Sequence, residues 1–444
     1  MSAPAGGALR RELGVFSAAM MVVGGIIGSG IFFTPSVSAR ALPSAGWVLA
    51  VWAAGGVVAL AGALTYAELG AMLPDAGGPY VYLREAFGKL FGFLYGWMVL
   101  LSIATGAIAA VAKGFADYLA RFMDLAPAGG PLGVAVIVIV ALSFVNYLGV
   151  KPGAIVQNIL TVFKIGALAA LIAGGFVLWA RVGAPLPVAD APAPRASLLL
   201  GLGAAFVPVL FTIGGWQQMN MVAGEVRDPA RSIPRALGVG IAIVIAIYLG
   251  ANLVYLHALG RDGLAASSAA AADAAARYFG PGGARFIAGS AMISIFGFVS
   301  VAILSNSRIV YAMAADGSFF KAVGRVHPRF GSPHIAIVLI AFWSIALLLL
   351  TKGDLGKLLS GVVFADWIFF GLGAASVFVL RRRRPELARP YRVLGYPLLP
   401  AFFVLAAAVG VASSFIAEPA MSMLGAAQLA IGLGLYFALF RRAV

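Results

Sequence analysis

Residues 24–30 read Gly24-Gly25-Ile26-Ile27-Gly28-Ser29-Gly30, with Thr34-Pro35 close behind, inside an apolar stretch covering 13-39. Glycine in a helix interior costs about 1 kcal/mol relative to alanine, so this cluster marks backbone that can leave the helix. Close helix packing competes with that reading, because Gly24 and Gly28 also form a pair of small residues four apart. A second cluster, Phe211-Thr212-Ile213-Gly214-Gly215-Trp216, lies in another apolar stretch.

The surroundings of these clusters are those of a bilayer protein. The 444 residues are 62% hydrophobic and only 11% charged, too little charge to clothe a water-facing surface. Twelve stretches reach the roughly 18 apolar residues needed to cross the hydrocarbon: 13-39, 46-72, 90-120, 131-149, 154-180, 197-223, 236-259, 286-313, 333-350, 357-380, 397-416 and 421-440. The first lacks a small-residue cleavage site and is expected to be retained. The glycine clusters then fall in the first and sixth spans, at matching places in two five-span halves. That is the pattern of an inverted-repeat secondary transporter with discontinuous helices around a midplane site.

With an even number of spans and an inner N-terminus, inner segments hold twenty Lys and Arg against ten outside, which predicts both termini to be cytoplasmic. The expected layout is a tail at 1-12, a first repeat at 13-181, an extracellular loop at 182-196, a second repeat at 197-380, a basic cytoplasmic loop at 381-396, and two further helices with a tail at 397-444. Arg381 to Arg384 reads as a stop-transfer and headgroup anchor. The net charge of +15 is accounted for by such loops, not by nucleic-acid binding. The chain has no cysteine, which excludes disulfides, thiolate metal sites and cysteine nucleophiles. His257, His327 and His334 lack ligand spacing, so neither a metal nor any other cofactor is expected. No nucleotide-binding glycine–lysine loop occurs, which speaks against ATP-driven transport.

A helix broken at membrane depth frees N–H groups on one side and carbonyls on the other, and it survives only where protein, water or substrate satisfies them. The half after Gly30 suits a carboxylate; the half before Ile26 suits an ammonium. An α-amino acid carries both groups on one carbon.

Two charges stand inside spans. Lys164 lies about eleven residues into the fifth, roughly 16 Å deep, too far for its stem to reach the interface. It is expected to face the bundle interior. Asp366, beside Trp367 in the tenth, has three readings: a structural group satisfied by a backbone or serine partner, a proton carrier, or a counter-charge for a cationic substrate side chain. Glu68, Glu225 and Asp228 are expected in ion pairs near the cytoplasmic face.

The Gly28-Ser29-Gly30 break closely resembles the first span of the amino acid-polyamine-organocation superfamily, particularly its L-type amino acid transporter branch. The run from Phe211 and Gly214-Gly215-Trp216 to Gly224-Glu225-Val226-Arg227-Asp228-Pro229 and Ser232-Ile233-Pro234-Arg235 resembles that branch's sixth span and following loop. Tyr66-Ala67-Glu68-Leu69, Gly77-Gly78-Pro79-Tyr80, Ser307-Arg308, Asp316-Gly317, His327-Pro328, Arg389-Pro390-Tyr391-Arg392 and Tyr396-Pro397 extend the likeness over nearly the whole chain.

The resemblance implies an all-α fold of twelve transmembrane helices, a five-plus-five inverted repeat with helices 1 and 6 discontinuous. It places the substrate between Ile26, Ile27, Gly28, Ser29 and Gly30 on one side and Phe211, Thr212, Ile213, Gly214 and Gly215 on the other. Carboxylate would meet the N–H groups of Ser29 and Gly30, and ammonium the carbonyls of Ile26, Phe211 and Gly214. Phe211 would gate the site from outside, with Trp367 nearby in the tenth span. Lys164 would brace the first break where sodium-coupled relatives hold an ion, which implies sodium independence.

Heteromeric relatives join an accessory glycoprotein through a cysteine between the third and fourth spans; here that loop, Met123 to Gly130, has none, so no disulfide-linked subunit is expected. The leading expectation is exchange of small neutral L-amino acids, in the manner of alanine, serine or cysteine, by alternating access across a bacterial inner membrane. A proton-coupled or cationic amino acid or polyamine transporter is the alternative. A non-transporting amino acid sensor ranks below it, and an enzyme lower still, since no nucleophile–base constellation appears.

Overall fold

The computed structural model describes residues 9–120, 122–183, 185, 188, 192–194, 197–354, 358, 362–417 and 419–440. Among them the chain is helical, with a single isolated β-bridge between Leu13 and Val226. The first span is two helices, α1 (Val15–Ile26) and α2 (Gly30–Ala41). Then come α3 (Ala45–Met72), the short α4 (Pro79–Phe87), and α5 (Lys89–Met98), which passes through a π turn at Val99–Ile103 into α6 (Ala104–Leu119). α7 (Gly130–Tyr147), α8 (Val150–Val177) and the one-turn α9 (Trp179–Val182) complete the first half.

The sixth span is again split, into α10 (Leu198–Ile213) and the short α11 (Gln218–Met221). It is followed by α12 (Pro229–Ala266), α13 (Ala270–Ala315), α14 (His334–Leu350), α15 (Val362–Arg383), α16 (Leu398–Ala417) and α17 (Pro419–Leu435). Among the described residues eleven spans are long and apolar enough to cross a membrane, and α14, with 17 residues, is a shorter twelfth. This is the twelve-helix, multi-pass architecture expected. α1 is buried from Ala18 to Ile26, packed on α8, α12 and α13, whereas α17 buries only Ser422, Gly425 and Gly432 among its described residues. The broken helices thus form the centre and the last span lies at the rim.

The structure departs from the hydropathy reading in three places. Residues 260–285, expected as a loop, are largely helical: α12 and α13 run through Gly260 and Gly280, both at positive φ, where their axes kink. The alanine-rich run Ala269 to Ala276 is a strong helix former without being a bilayer-spanning stretch, so hydropathy underrates it. Arg40 ties this hairpin to α2, its Nε donating to the Ala265 carbonyl at 2.6 Å. Likewise α4 occupies part of the loop expected between the second and third spans, started by Pro79 at its first position. The third span carries the π turn, a feature that hydropathy does not signal. The predicted start of the tenth span, 357–361, lies outside the described residues except for Leu358.

Candidate functional site

The two breaks meet back to back at the centre of the bundle. Gly215 adopts φ +102°, a left-handed conformation, and a Cβ there would overlap the Gly25 carbonyl oxygen; a Cβ on Gly25 would stand 2.7 Å from the Gly215 oxygen. The glycines are therefore required for one backbone to cross the other, and helix packing and helix breaking act at the same place. Thr212 closes over the start of α2, where a Cβ on Gly30 would stand 2.5 Å from its methyl, and its hydroxyl hydrogen-bonds that of Thr34 at 2.7 Å.

Breaking α1 leaves Ile27 at ψ 87° and Ser29 as the cap of α2 without a side-chain capping bond. The N–H groups of Ser29 and Gly30 have no hydrogen-bond partner among the described residues. On the carbonyl side, Ile26 accepts from Tyr248 Oη (3.1 Å) and from Gly28 N–H (2.9 Å), and Phe211 accepts from Gly214 N–H (3.2 Å). The Gly214 carbonyl accepts nothing among the described residues. Free donors and a free acceptor therefore face a common space, at the positive end of α2 and the negative end of α10.

Lys164 lies fully buried against this break. Its ammonium donates to the carbonyls of Gly24 (3.0 Å) and Ile27 (2.5 Å), replacing bonds that α1 would have made had it continued. Two residues that sequence reasoning missed complete the support. Ser294 in α13 donates to the Ile27 and Gly28 carbonyls, both at 3.0 Å, and Tyr248 in α12 bridges the Ile26 and Thr212 carbonyls at 3.1 and 3.3 Å. Neither has a local signal: α13 buries other serines, among them Ser290 and Ser300, and α12 a second tyrosine, Tyr255, with nothing in the sequence to single out the residue at the break.

Between the breaks lies a cavity of about 450 Å³. Ile26, Gly28, Ser29, Gly30, Phe211, Thr212, Gly214 and Gly215 line it, together with Trp367 and Asp366. Two expected members do not: Ile27 turns its fully buried side chain away, and Ile213 packs toward Gly55. Spacing along the chain could not foresee this, because unwinding resets which side chains face inward. Gln217, Gln218, Tyr95 and Asn306 add polar groups to the wall. The lining follows α6 from Ile103 past the π turn to Asp117 and Tyr118 in its last turn. Phe211, expected to gate the site from outside, stands 44% exposed, and Trp367 is only 5% exposed, packed on Phe370 and Phe403.

The opposite end is sealed. Gly77 N–H bonds the Met221 carbonyl at 2.8 Å, and Asn220 Nδ2 donates to the Tyr66 carbonyl and to Tyr82 Oη, both at 2.9 Å. Beyond them Arg308 and Glu225, neither exposed, pair through two hydrogen bonds of 2.7 and 3.2 Å. The Glu225 carbonyl also accepts from Glu12 and Leu13 N–H, stapling the chain before α1 to the segment after α11. Glu68 pairs with Arg381 at 2.6 and 2.8 Å and accepts from Val393 N–H at 2.7 Å. Asp228 makes no ion pair among the described residues, contrary to expectation; at φ 44° it turns the chain into α12 and its carbonyl accepts from Ser232 N–H. Near the same face Asp316 accepts from Tyr80 and Arg84, and burial beside this carboxylate pushes the Tyr80 phenol well up from its ordinary value.

A bundle of apolar spans around paired helix breaks, with a cavity reaching one end and a sealed layer at the other, defines a multi-pass membrane transporter. The amino acid permease family matches residues 13–438, and the chain belongs to that family, in its L-type amino acid transporter-like branch. It is 32% identical to the serine/threonine exchanger SteT of Bacillus subtilis (strain 168), over 89% of this chain and 91% of that protein. It is 32% identical to the large neutral amino acids transporter small subunit 2 of Homo sapiens, over 97% and 81%. To the human b(0,+)-type amino acid transporter 1 it is 33% identical, over 87% and 79%. The chain is an amino acid transporter.

Proposed function

We propose that the protein exchanges small neutral L-amino acids, of the alanine, serine and cysteine kind, without sodium, across the plasma membrane of a bacterium. The observation that carries this reading is the pairing, across one cavity, of the free Ser29 and Gly30 N–H groups with the free Gly214 carbonyl. The carboxylate sits on the former and the ammonium on the carbonyl side. Thr212 and the narrow glycine crossing favour a compact α-carbon environment. Lys164 supports sodium independence, since its ammonium already supplies a positive charge to the Gly24 and Ile27 carbonyls and a second cation there would be repelled.

The excess of Lys and Arg on one side supports cytoplasmic termini, and with them the layout of tail 1-12, repeats 13-181 and 197-380, outer loop 182-196, basic inner loop 381-396 and helices 397-444. In that orientation the cavity faces outward, and the Glu225–Arg308 layer is the closed inner gate. Phe211 swings over the substrate when the outer side closes, with Trp367 behind it. Serine, a small neutral amino acid, is one of the two substrates that the Bacillus subtilis relative is named for exchanging, which supports this substrate class. With no cysteine, no disulfide joins it to an accessory subunit.

Counterflow in proteoliposomes with sodium replaced by choline tests the reading. Labelled alanine should enter faster against an internal alanine load than into empty vesicles. A sodium requirement, or entry indifferent to the internal load, would overturn it.

A further inference from the structure

Apart from Asp117, Asp366 is the only charged side chain on the cavity wall among the described residues; no Lys, Arg or His lines it. That imbalance stands out in a chain with 31 Lys and Arg against 16 Asp and Glu. Asp117 is already compensated, since Lys113, one helical turn back, donates to it at 2.5 Å. Asp366 makes no hydrogen bond and no ion pair with any described residue, so a role as a satisfied structural group has no support in the geometry. A carboxylate at membrane depth without a protein partner is costly and is retained where a ligand supplies the missing charge.

The neighbourhood suits an organic cation. Tyr95, Trp367 and Phe370 line the same cavity, with Trp367 and Phe370 in edge contact at 5.7 Å, and aromatic faces attract ammonium and guanidinium groups. The substrate's α-ammonium has its own partner at the helix breaks. The carboxylate of Asp366 is therefore available to a second positive group farther along the molecule. The cavity, at about 450 Å³, has room beyond an alanine, within the range of ordinary small-molecule sites.

We infer that Asp366 forms an acidic side-chain subsite, so that the transporter takes amino acids with a terminal ammonium or guanidinium, such as lysine, ornithine or arginine, as well as small neutral ones. This rests on the helix breaks binding the α-carboxylate and α-ammonium, which are common to both kinds of substrate. Asp366 acts on specificity alone. A proton on the same carboxylate is the competing occupant.

Lysine and norleucine share a four-carbon chain and differ at its end by the ammonium, so their affinity ratio isolates the subsite. The purified protein is titrated with each by thermal shift, and with ornithine and 2,4-diaminobutyrate to measure reach. In the unsubstituted protein lysine should bind at least as tightly as norleucine, and in Asp366→Asn the lysine-to-norleucine preference should fall tenfold or more. Asp366→Glu, which keeps the charge but moves it by one carbon, should restore the preference and shift it toward a shorter diamino acid, which a folding defect would not do.

An unchanged ratio in Asp366→Asn, or norleucine bound and lysine refused by the unsubstituted protein, would overturn the inference. So would alanine entry driven by an inward proton gradient and lost in Asp366→Asn, which assigns the carboxylate to a proton. Failure of alanine counterflow in the unsubstituted protein sinks the underlying reading and is scored separately from the ratio.

Discussion

The Lys164 ammonium donates to the carbonyl of Gly24 at 3.0 Å, joining the fifth span to the last turn of the helix that stops at Ile26. With its second bond, to Ile27, it compensates two acceptors that breaking α1 leaves exposed to apolar surroundings. An unsatisfied buried carbonyl costs about 1–3 kcal/mol. Lys164→Ala should therefore lower the melting temperature by several degrees and cut alanine exchange by roughly tenfold or more, about 1.4 kcal/mol of lost function. Thermal unfolding and counterflow measure the two together. Wild-type exchange in Lys164→Ala would mean that the break needs no brace.

The crossing of the two breaks predicts a sharp contrast among glycines. Gly215→Ala places a methyl against the Gly25 carbonyl with φ fixed at +102°, and neither backbone can yield without moving a whole span. Gly203→Ala, in the same span, meets nothing within 4 Å and replaces a poor helix former in α10. The first should destabilise by about 1–3 kcal/mol of backbone strain and abolish alanine binding. The second should be neutral or stabilising by up to about 1 kcal/mol. Equal effects of the two in thermal-shift assays would refute the crossing.

Those glycines were legible in the sequence because glycine clusters carry a backbone meaning of their own, independent of neighbours. The twelve spans were legible for a similar reason, each being a local apolar run. Tyr248 and Ser294 were not, since nothing around them in α12 or α13 distinguishes a carbonyl-capping hydroxyl from an ordinary buried one. Their role exists only once α1 is laid against both helices. Ile27 and Ile213 were misplaced because residues flanking a break do not keep the helical phase that assigns side chains to faces. Asp366 was visible as an anomaly, but its choice among partner, proton and ligand required a census of the wall around it.

Tyr248 carries the next prediction. One hydroxyl accounts for a bond to the Ile26 carbonyl in the first break and another to Thr212 in the last turn before the second. Tyr248→Phe keeps the ring against Trp52, its edge-on neighbour at 5.5 Å, and deletes only the link. The single hydroxyl proton is shared between the two carbonyls, so its loss should lower stability by about 1 kcal/mol, and alanine should bind severalfold more weakly because the carbonyls lose their alignment. Unaltered binding in a calorimetric titration, with a melting temperature equal to the parent's, would show that the breaks hold one another without it.

The Arg308–Glu225 pair lies in the sealed layer with neither side chain exposed, so its two partners cannot be removed independently at equal cost. Taking one leaves the other as a lone buried charge, a penalty of about 3–5 kcal/mol, whereas replacing both with apolar residues is often close to neutral. Glu225→Leu and Arg308→Met should each depress the melting temperature markedly, and the double substitution should recover most of the loss. The same cycle bears on gating. If the pair holds the inner end shut, the double variant should remain folded while a cysteine introduced at Met221, in this otherwise cysteine-free chain, becomes reactive to a membrane-impermeant maleimide from the cytoplasmic side. Recovery of stability with Met221→Cys still protected would leave the pair a purely structural contact and move the gate to the Asn220–Tyr82 layer above it.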